Sequence, residues 1–136
     1  MKGYVSRPVN TTDRFQFVDL SGPIDDYLKS VAAGDGILHI FVPHTTAAVT
    51  INENADPDVR SDIRRFLTER IPHDWGFQHA EGNSDAHILS SLIGVSLSIF
   101  VSNGMPVLGT WQSVFFGEFD GPRRRQVLLK FVPDRT

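Results

Sequence analysis

Apolar and polar residues alternate through Arg14-Phe15-Gln16-Phe17-Val18-Asp19-Leu20, the two-residue period of a half-buried strand, and the run ends at Ser21-Gly22-Pro23. The period then changes. Ile24, Tyr27, Leu28 and Val31 fall at helical spacing, with Ser21 available as a cap, Pro23 suited to the first turn and Gly34-Asp35-Gly36 to stop the helix. Residues 37–42 form a short apolar run, rich in β-branched and aromatic side chains, that predicts a buried strand carrying His39. Pro43 interrupts it and residues 47–52 resume, so Pro43-His44-Thr45-Thr46 falls at a break or edge between two extended pieces.

Asp56 before Pro57 predicts a capped helix whose apolar face is Val59, Ile63, Phe66 and Leu67. Residues 71–86 are polar and aperiodic, and long loops of this kind in compact domains are often functional. Ser84 or Asp85 can cap a short helix through Ile88, Leu89, Leu92 and Ile93, which places His87 in its first turn and Gly94 at its end. Val95, Leu97, Ile99 and Val101 alternate with polar or outward positions as a strand does, and Asn103-Gly104 signals a tight hairpin. The returning strand is expected over about residues 107–119, then a turn at Asp120-Gly121-Pro122 and a last strand through Val127, Leu129 and Phe131. Interspersed helices and hairpin-linked strands predict an α+β fold, a single domain over residues 1–136 with a mostly antiparallel sheet and about three helices packed on it.

Composition narrows the functions. With 40% hydrophobic and 21% charged residues in 136, the chain resembles an ordinary globular domain. A formal net charge of -3 supplies no global field for nucleic acid or an anionic membrane, so an anion must be held locally. The absence of cysteine excludes thiolate ligands, a cysteine nucleophile and disulfides. No secretory or membrane-spanning apolar run is visible, and a soluble, cytoplasmic protein is expected.

The chemistry is concentrated in histidine. His44, His79 and His87 each neighbour small or polar residues that leave room for a ligand, whereas His39 reads as a hydrogen-bonded residue of the sheet and His73 as a solvated loop residue. If the three converge, neutral imidazoles would leave open positions on a divalent cation, zinc first and magnesium as the other expectation, that activates water or polarises a phosphoryl oxygen. Glu53, Glu81 or Asp85 could support the ligands or act as a base. Asn52-Glu53-Asn54-Ala55-Asp56 ends at a helix N-terminus, where phosphate could dock with Arg60 assisting; the plainer reading is capping and turn chemistry. In Gly109-Thr110-Trp111-Gln112, strand alternation would put Thr110 and Gln112 on one face and Trp111 on the other. Arg123-Arg124-Arg125 is either a phosphate clamp or a solvated turn.

Residues 44–57, the His79 to His87 segment, Ser90-Ser91 and Gly109-Thr110-Trp111-Gln112 together resemble the YjbQ family, also labelled secondary thiamine-phosphate synthase, and the resemblance spans residues 15–132. It implies a small α+β domain that assembles as a homotrimer around a histidine pocket suited to a divalent metal. It further implies a weak activity that joins hydroxymethylpyrimidine diphosphate to thiazole phosphate with release of pyrophosphate. On the matching positions, the resemblance makes His44, His79 and His87 the metal ligands and Glu53 the nearest acid/base, with Asn52, Asn54, Thr110 and Gln112 as substrate contacts. The chain has no Asp-Asp-x-x-Asp magnesium motif, so a histidine-bound metal would have to stabilise the diphosphate. Two expectations therefore compete: a metal-dependent enzyme on phosphorylated small molecules, whether transferase or phosphate-ester hydrolase, and a non-catalytic ligand-binding or scaffolding homotrimer whose histidine site holds a structural metal or anion.

Overall fold

The structure, a computed structural model, describes residues 3–135. In chain order the elements are β1 (Val5–Asn10), β2 (Gln16–Asp19), α1 (Ser21–Ser30), β3 (Gly36–Phe41), β4 (Ala47–Glu53), α2 (Pro57–Arg70), α3 (Ser84–Ile93), β5 (Ser96–Ser102), β6 (Met105–Pro106), β7 (Gln112–Glu118) and β8 (Arg124–Pro133). They form the expected α+β fold, but the strands divide into two antiparallel sheets, one of order β1-β8-β3-β5-β6 and one of order β2-β7-β4.

Alternation explains the layering. Leu38 and Ile40 of β3, Ile99 and Val101 of β5, and Val127 and Leu129 of β8 point inward from the first sheet. They meet Val49, Val114 and Phe116 from the second, and α1 adds Ile24, Tyr27 and Leu28 to the same core. Each such side chain contributes roughly 1.5–3 kcal/mol on burial. The Phe131 backbone N–H donates to the Tyr27 hydroxyl at 2.8 Å, tying α1 to β8. On the reverse face of the second sheet, Ala48 packs with Phe15, Phe119 and the α3 residues Ala86 and Leu89.

Several sequence expectations change in detail. β1 was not anticipated. Ser21 is the first residue of α1 and not its side-chain cap; Asp19 instead accepts the Ser21 N–H at 2.8 Å and its hydroxyl at 2.6 Å. At α3 neither Ser84 nor Asp85 is the cap residue: Asn83 holds that place, without a side-chain cap bond. Of the strand expected over 107–119 only β7, from Gln112, is formed, in the second sheet; the return of the hairpin is the two-residue β6, which ends at Pro106 in the first sheet, and the chain crosses between the sheets over residues 107–111. The hairpin before it is as expected, with Asn103 at φ 51° and Gly104 at φ 77°. Asp56 does cap α2, accepting from the Asp58 N–H at 2.9 Å. The apolar face of that helix, however, is nowhere fully buried, and Phe66 is 58% exposed.

Candidate functional site

The end of β3 and the approach to β4 meet the start of α3 at an open cleft of about 740 Å³. His44, His79 and His87 all line it, together with Thr46, Arg123 and Arg125. The β3 ladder ends before Pro43, and His44 stands just past the end of the strand, beside Gln126 of β8; the polar loop before α3 delivers His79, and the first turn of α3 delivers His87. The His79 and His87 rings lie edge to face, with centroids 5.5 Å apart. His79 Nε2 is 4.0 Å from the Glu81 carboxylate, which is itself 74% exposed.

His44 is held differently. Its Nε2 faces the Gln126 backbone, 3.0 Å from the N–H and 3.2 Å from the carbonyl oxygen, and the ring tautomer sets which of the two bonds it makes. Burial, and then the Arg125 guanidinium, hold its pKa below the ordinary imidazole value. His44 is therefore neutral at physiological pH, with Nε2 engaged by Gln126 and Nδ1 without a hydrogen-bond partner among the described residues. To bind a metal through Nε2 it would have to release Gln126; through Nδ1 it would not. Among the described residues no group of three or more histidine or carboxylate side chains stands close enough to hold a metal ion.

Under the cleft runs a buried ionic system. Arg125 donates through Nε to Glu118 Oε1 at 2.9 Å and through Nη2 to Glu118 Oε2 and to Thr46 Oγ1, the last at 2.7 Å. The Thr11 hydroxyl donates to Glu118 Oε1 at 2.8 Å. Burial alone would raise the Glu118 pKa; the bonds from Arg125 and Thr11 outweigh it and hold the carboxyl low. Arg125 Nη1 has no acceptor among the described residues, which leaves its N–H groups for the cleft. Arg123 is likewise committed, donating through Nη2 to Asp120 Oδ2 at 2.7 Å and through Nε to the Asp120 backbone oxygen. Each guanidinium thus brings its own counter-charge, and the cleft offers directed donors and little net positive charge.

The loop that carries His79 is pinned at both ends. Asp85 in the first turn of α3 is buried, receives Arg14 through both carboxylate oxygens at 3.0 and 3.1 Å, and contacts His73 Nδ1 at 3.1 Å. Burial would raise Asp85; the bonds from Arg14 and His73 prevail and lower it. Asn83, also buried and lining the cleft, donates its Nδ2 to Asp120 Oδ2 at 2.8 Å, while its Oδ1 is buried without a donor.

The remaining sequence candidates lie elsewhere. β4 has seven residues, so Glu53 stands roughly 20 Å from the Thr46 end of the strand at about 3.3 Å per residue. Within one chain Glu53 is therefore too far to serve the histidine cleft as acid or base. It pairs in register with Gln112, whose Oε1 accepts from the Gly109 N–H at 2.8 Å and braces the turn. Thr110 lies in that turn, outside any strand, so the anticipated shared face with Gln112 is not formed. Asn54 donates to Asp19 Oδ2 at 3.0 Å, and Arg60 Nη1 donates to Asn54 Oδ1 at 3.0 Å. Asn52 and Arg60 share a separate hollow beneath α2. His39 is the sheet histidine expected, 2.8 Å from the Ser98 hydroxyl, whereas His73 is exposed yet engaged by Asp85.

Sequence reasoning missed Thr46, Asn83 and Glu118. Glu118 carried a signal: a carboxylate inside Val114-Phe115-Phe116-Gly117-Glu118-Phe119 cannot be buried without a cation, and Arg125 lies just across the turn.

The three depressed groups set the acid response. For each, the folded pKa lies below the unfolded one, so the unfolded chain binds more protons in between and stability falls with falling pH. The thermal midpoint is expected to hold above pH about 6.5, to drop first as His44 protonates, and to drop again below about 4.5 as Asp85 and Glu118 do. A flat melting profile from pH 7 to 3 would contradict these assignments.

Compared with known proteins, residues 6–134 match the family described as UPF0047 protein YjbQ-like. The UPF0047 protein MJ1081 of Methanocaldococcus jannaschii is 52% identical over 127 residues, covering 93% of this chain and 92% of its own. The YugU protein of Bacillus subtilis is 42% identical over 125 residues, 91% of this chain and 95% of its own. Among solved structures, a YjbQ/UPF0047 protein of Clostridium acetobutylicum superposes with a TM-score of 0.91 at 44% identity, covering 94% of this chain and 99% of that one. The Aeropyrum pernix protein APE1520 also gives a TM-score of 0.91, at 38% identity over 98% of this chain and 100% of that one.

Proposed function

The chain belongs to the YjbQ-like UPF0047 family, and on that footing we propose that it is an enzyme acting on phosphorylated small molecules in the histidine cleft, with a weak thiamine-phosphate-synthase-type transfer among its activities. The observation that carries the reading is that the three histidines singled out by sequence line one cleft together with two arginines. Arg125 Nη1 and the unengaged edge of Arg123 donate to the phosphate oxygens, and because both side chains are held by carboxylates they keep that geometry without reorganising. His44, neutral and held by Gln126 at Nε2, keeps Nδ1 for proton exchange with a departing oxygen.

The His79 and His87 rings stand edge to face in the cleft, and this contact supports them as the proposed metal ligands, with zinc first and magnesium second. Bound there, a divalent cation would supply Lewis-acid stabilisation of the phosphate. Elemental analysis of purified protein tests this part: about one equivalent of metal is expected in the parent and none in His87→Ala. Equal metal content in both would overturn it.

A non-catalytic assembly is the second reading, favoured by large apolar side chains left on the surface. Phe100 is 71% exposed, Leu92 68% and Trp111 61%. Such residues fit a homotrimer interface. Light scattering with and without chelator separates the two: a trimer that dissociates on metal removal supports a structural role, and one that persists but loses activity supports catalysis.

A further inference from the structure

A second hollow lies on the opposite face of the β2-β7-β4 sheet from the main core, beneath α2, and has a different character from the histidine cleft. Phe17, Phe115, Ile63, Leu67 and Ile93 wall it, and its volume is about 130 Å³. The four walls other than Phe115 remain half-buried, and none of the fourteen residues of α2 is fully buried. An amphipathic helix whose apolar stripe faces a gap forgoes the contacts that usually hold it in place. The gap is close to the roughly 150 Å³ that holds a benzene-sized guest in an apolar protein cavity.

One end is polar. Thr50, Asn52 and Arg60 close it, and the Arg60 guanidinium sits 5.2 Å from the Phe115 ring centre. Arg60 spends Nη1 on Asn54 Oδ1 and the Glu53 and Asn54 backbone oxygens, while Nε and Nη2 have no acceptor among the described residues. Arg64, one turn on, lies 5.9 Å from the Phe15 ring and lines an adjoining hollow that Arg60 and Phe17 also border. Neither arginine takes part in an ion pair among the described residues, in contrast to Arg123 and Arg125 of the cleft. Asp13 is the one carboxylate on the rim of the adjoining hollow. Two guanidinium groups without an ion pair among the described residues therefore stand at α2, beside an apolar slot.

The geometry points to a second binding site between α2 and the sheet, for a small carboxylic acid with a compact apolar body such as a single aromatic ring. The ring fills the gap against Phe17, Phe115 and Leu67. The planar two-oxygen head meets the unspent Nε and Nη2 edge of Arg60, an arrangement suited to bidentate donation. This site stands apart from the histidine cleft and does not depend on its proposed chemistry.

Benzoate and benzyl alcohol share a ring and differ in charge, so titrating each into the full-length protein by calorimetry and amide NMR tests the site. Benzoate is expected to bind about tenfold or more tighter, equivalent to about 1.4 kcal/mol. The shifts should centre on residues 50, 52, 60, 63 and 115. Arg60→Met should remove the preference for benzoate, and Leu67→Trp should fill the slot and abolish binding of both. His87→Ala should leave the titration unchanged. Equal affinity for the two probes, a preference that survives Arg60→Met, shifts centred on His44, His79 and His87, or no saturable binding would each overturn the proposal. If Leu67→Trp loses the native circular dichroism, the Arg60→Met comparison decides alone.

Discussion

Replacing Arg125 with methionine is expected to destabilise the fold by about 3–5 kcal/mol, a large part of the roughly 5–15 kcal/mol that holds a domain together. The reason is the charge left behind. Glu118 has no exposed surface, and two of the bonds that keep it ionised come from Arg125. The change also strips a donor from Thr46 and the neighbouring positive charge from His44. Replacing Glu118 with leucine in the same chain should recover much of the loss, since removing both charges leaves no orphan. Urea denaturation of the parent, the two single variants and the double variant measures the coupling. A single Arg125→Met variant within about 1 kcal/mol of the parent would show that the pair is not the buried system described.

The second large effect is on activity. Changing His79 and His87 together to alanine should lower turnover by about 10²–10⁴, the range expected when positioned acid/base or ligand groups are lost. Stability should stay within about 1 kcal/mol, because both side chains line an open cleft. Pyrophosphate release from hydroxymethylpyrimidine diphosphate and thiazole phosphate is the assay, followed by a panel of phosphate esters. Glu53→Gln, at the far end of β4, should leave the single-chain chemistry of the cleft intact. Full retention of turnover in the double histidine variant would remove the cleft from consideration.

Much of this was legible in the sequence, for identifiable reasons. Periodicity marked three helices and most strands because their apolar faces repeat cleanly, and Asn103-Gly104 fixed its hairpin through positive φ. β1 escaped because Pro8 and the polar Ser6 and Arg7 mask a run with only Val5 and Val9 to signal it; Pro8 is tolerated because β1 is an edge strand. The crossing between sheets at residues 107–111 escaped because Val107 and Leu108 read as the start of one strand running on through Trp111 and Gln112, with Gly109 as an interruption within it.

The site divides in the same way. His44, His79 and His87 were visible as reactive residues in roomy surroundings, and folding does gather them. Glu53, Asn52, Asn54, Thr110 and Gln112 were grouped with them by motif. The length of β4 carries that group to the other end of the sheet, where Asn54 and Gln112 serve turns and Asn52 borders a separate hollow. Sequence proximity to a reactive residue gave no measure of that distance.

The clasp formed by Arg14, Asp85 and His73 bears on how much the loop it closes can vary in length. It brings the start of an otherwise irregular stretch against the helix that follows, so residues 74–82 make a compact excursion whose stem is fixed independently of its contents. Lengthening a closed excursion is thermodynamically cheap. An insertion between residues 74 and 82 should therefore leave the two sheets beneath as they are while it reshapes the rim of the cleft.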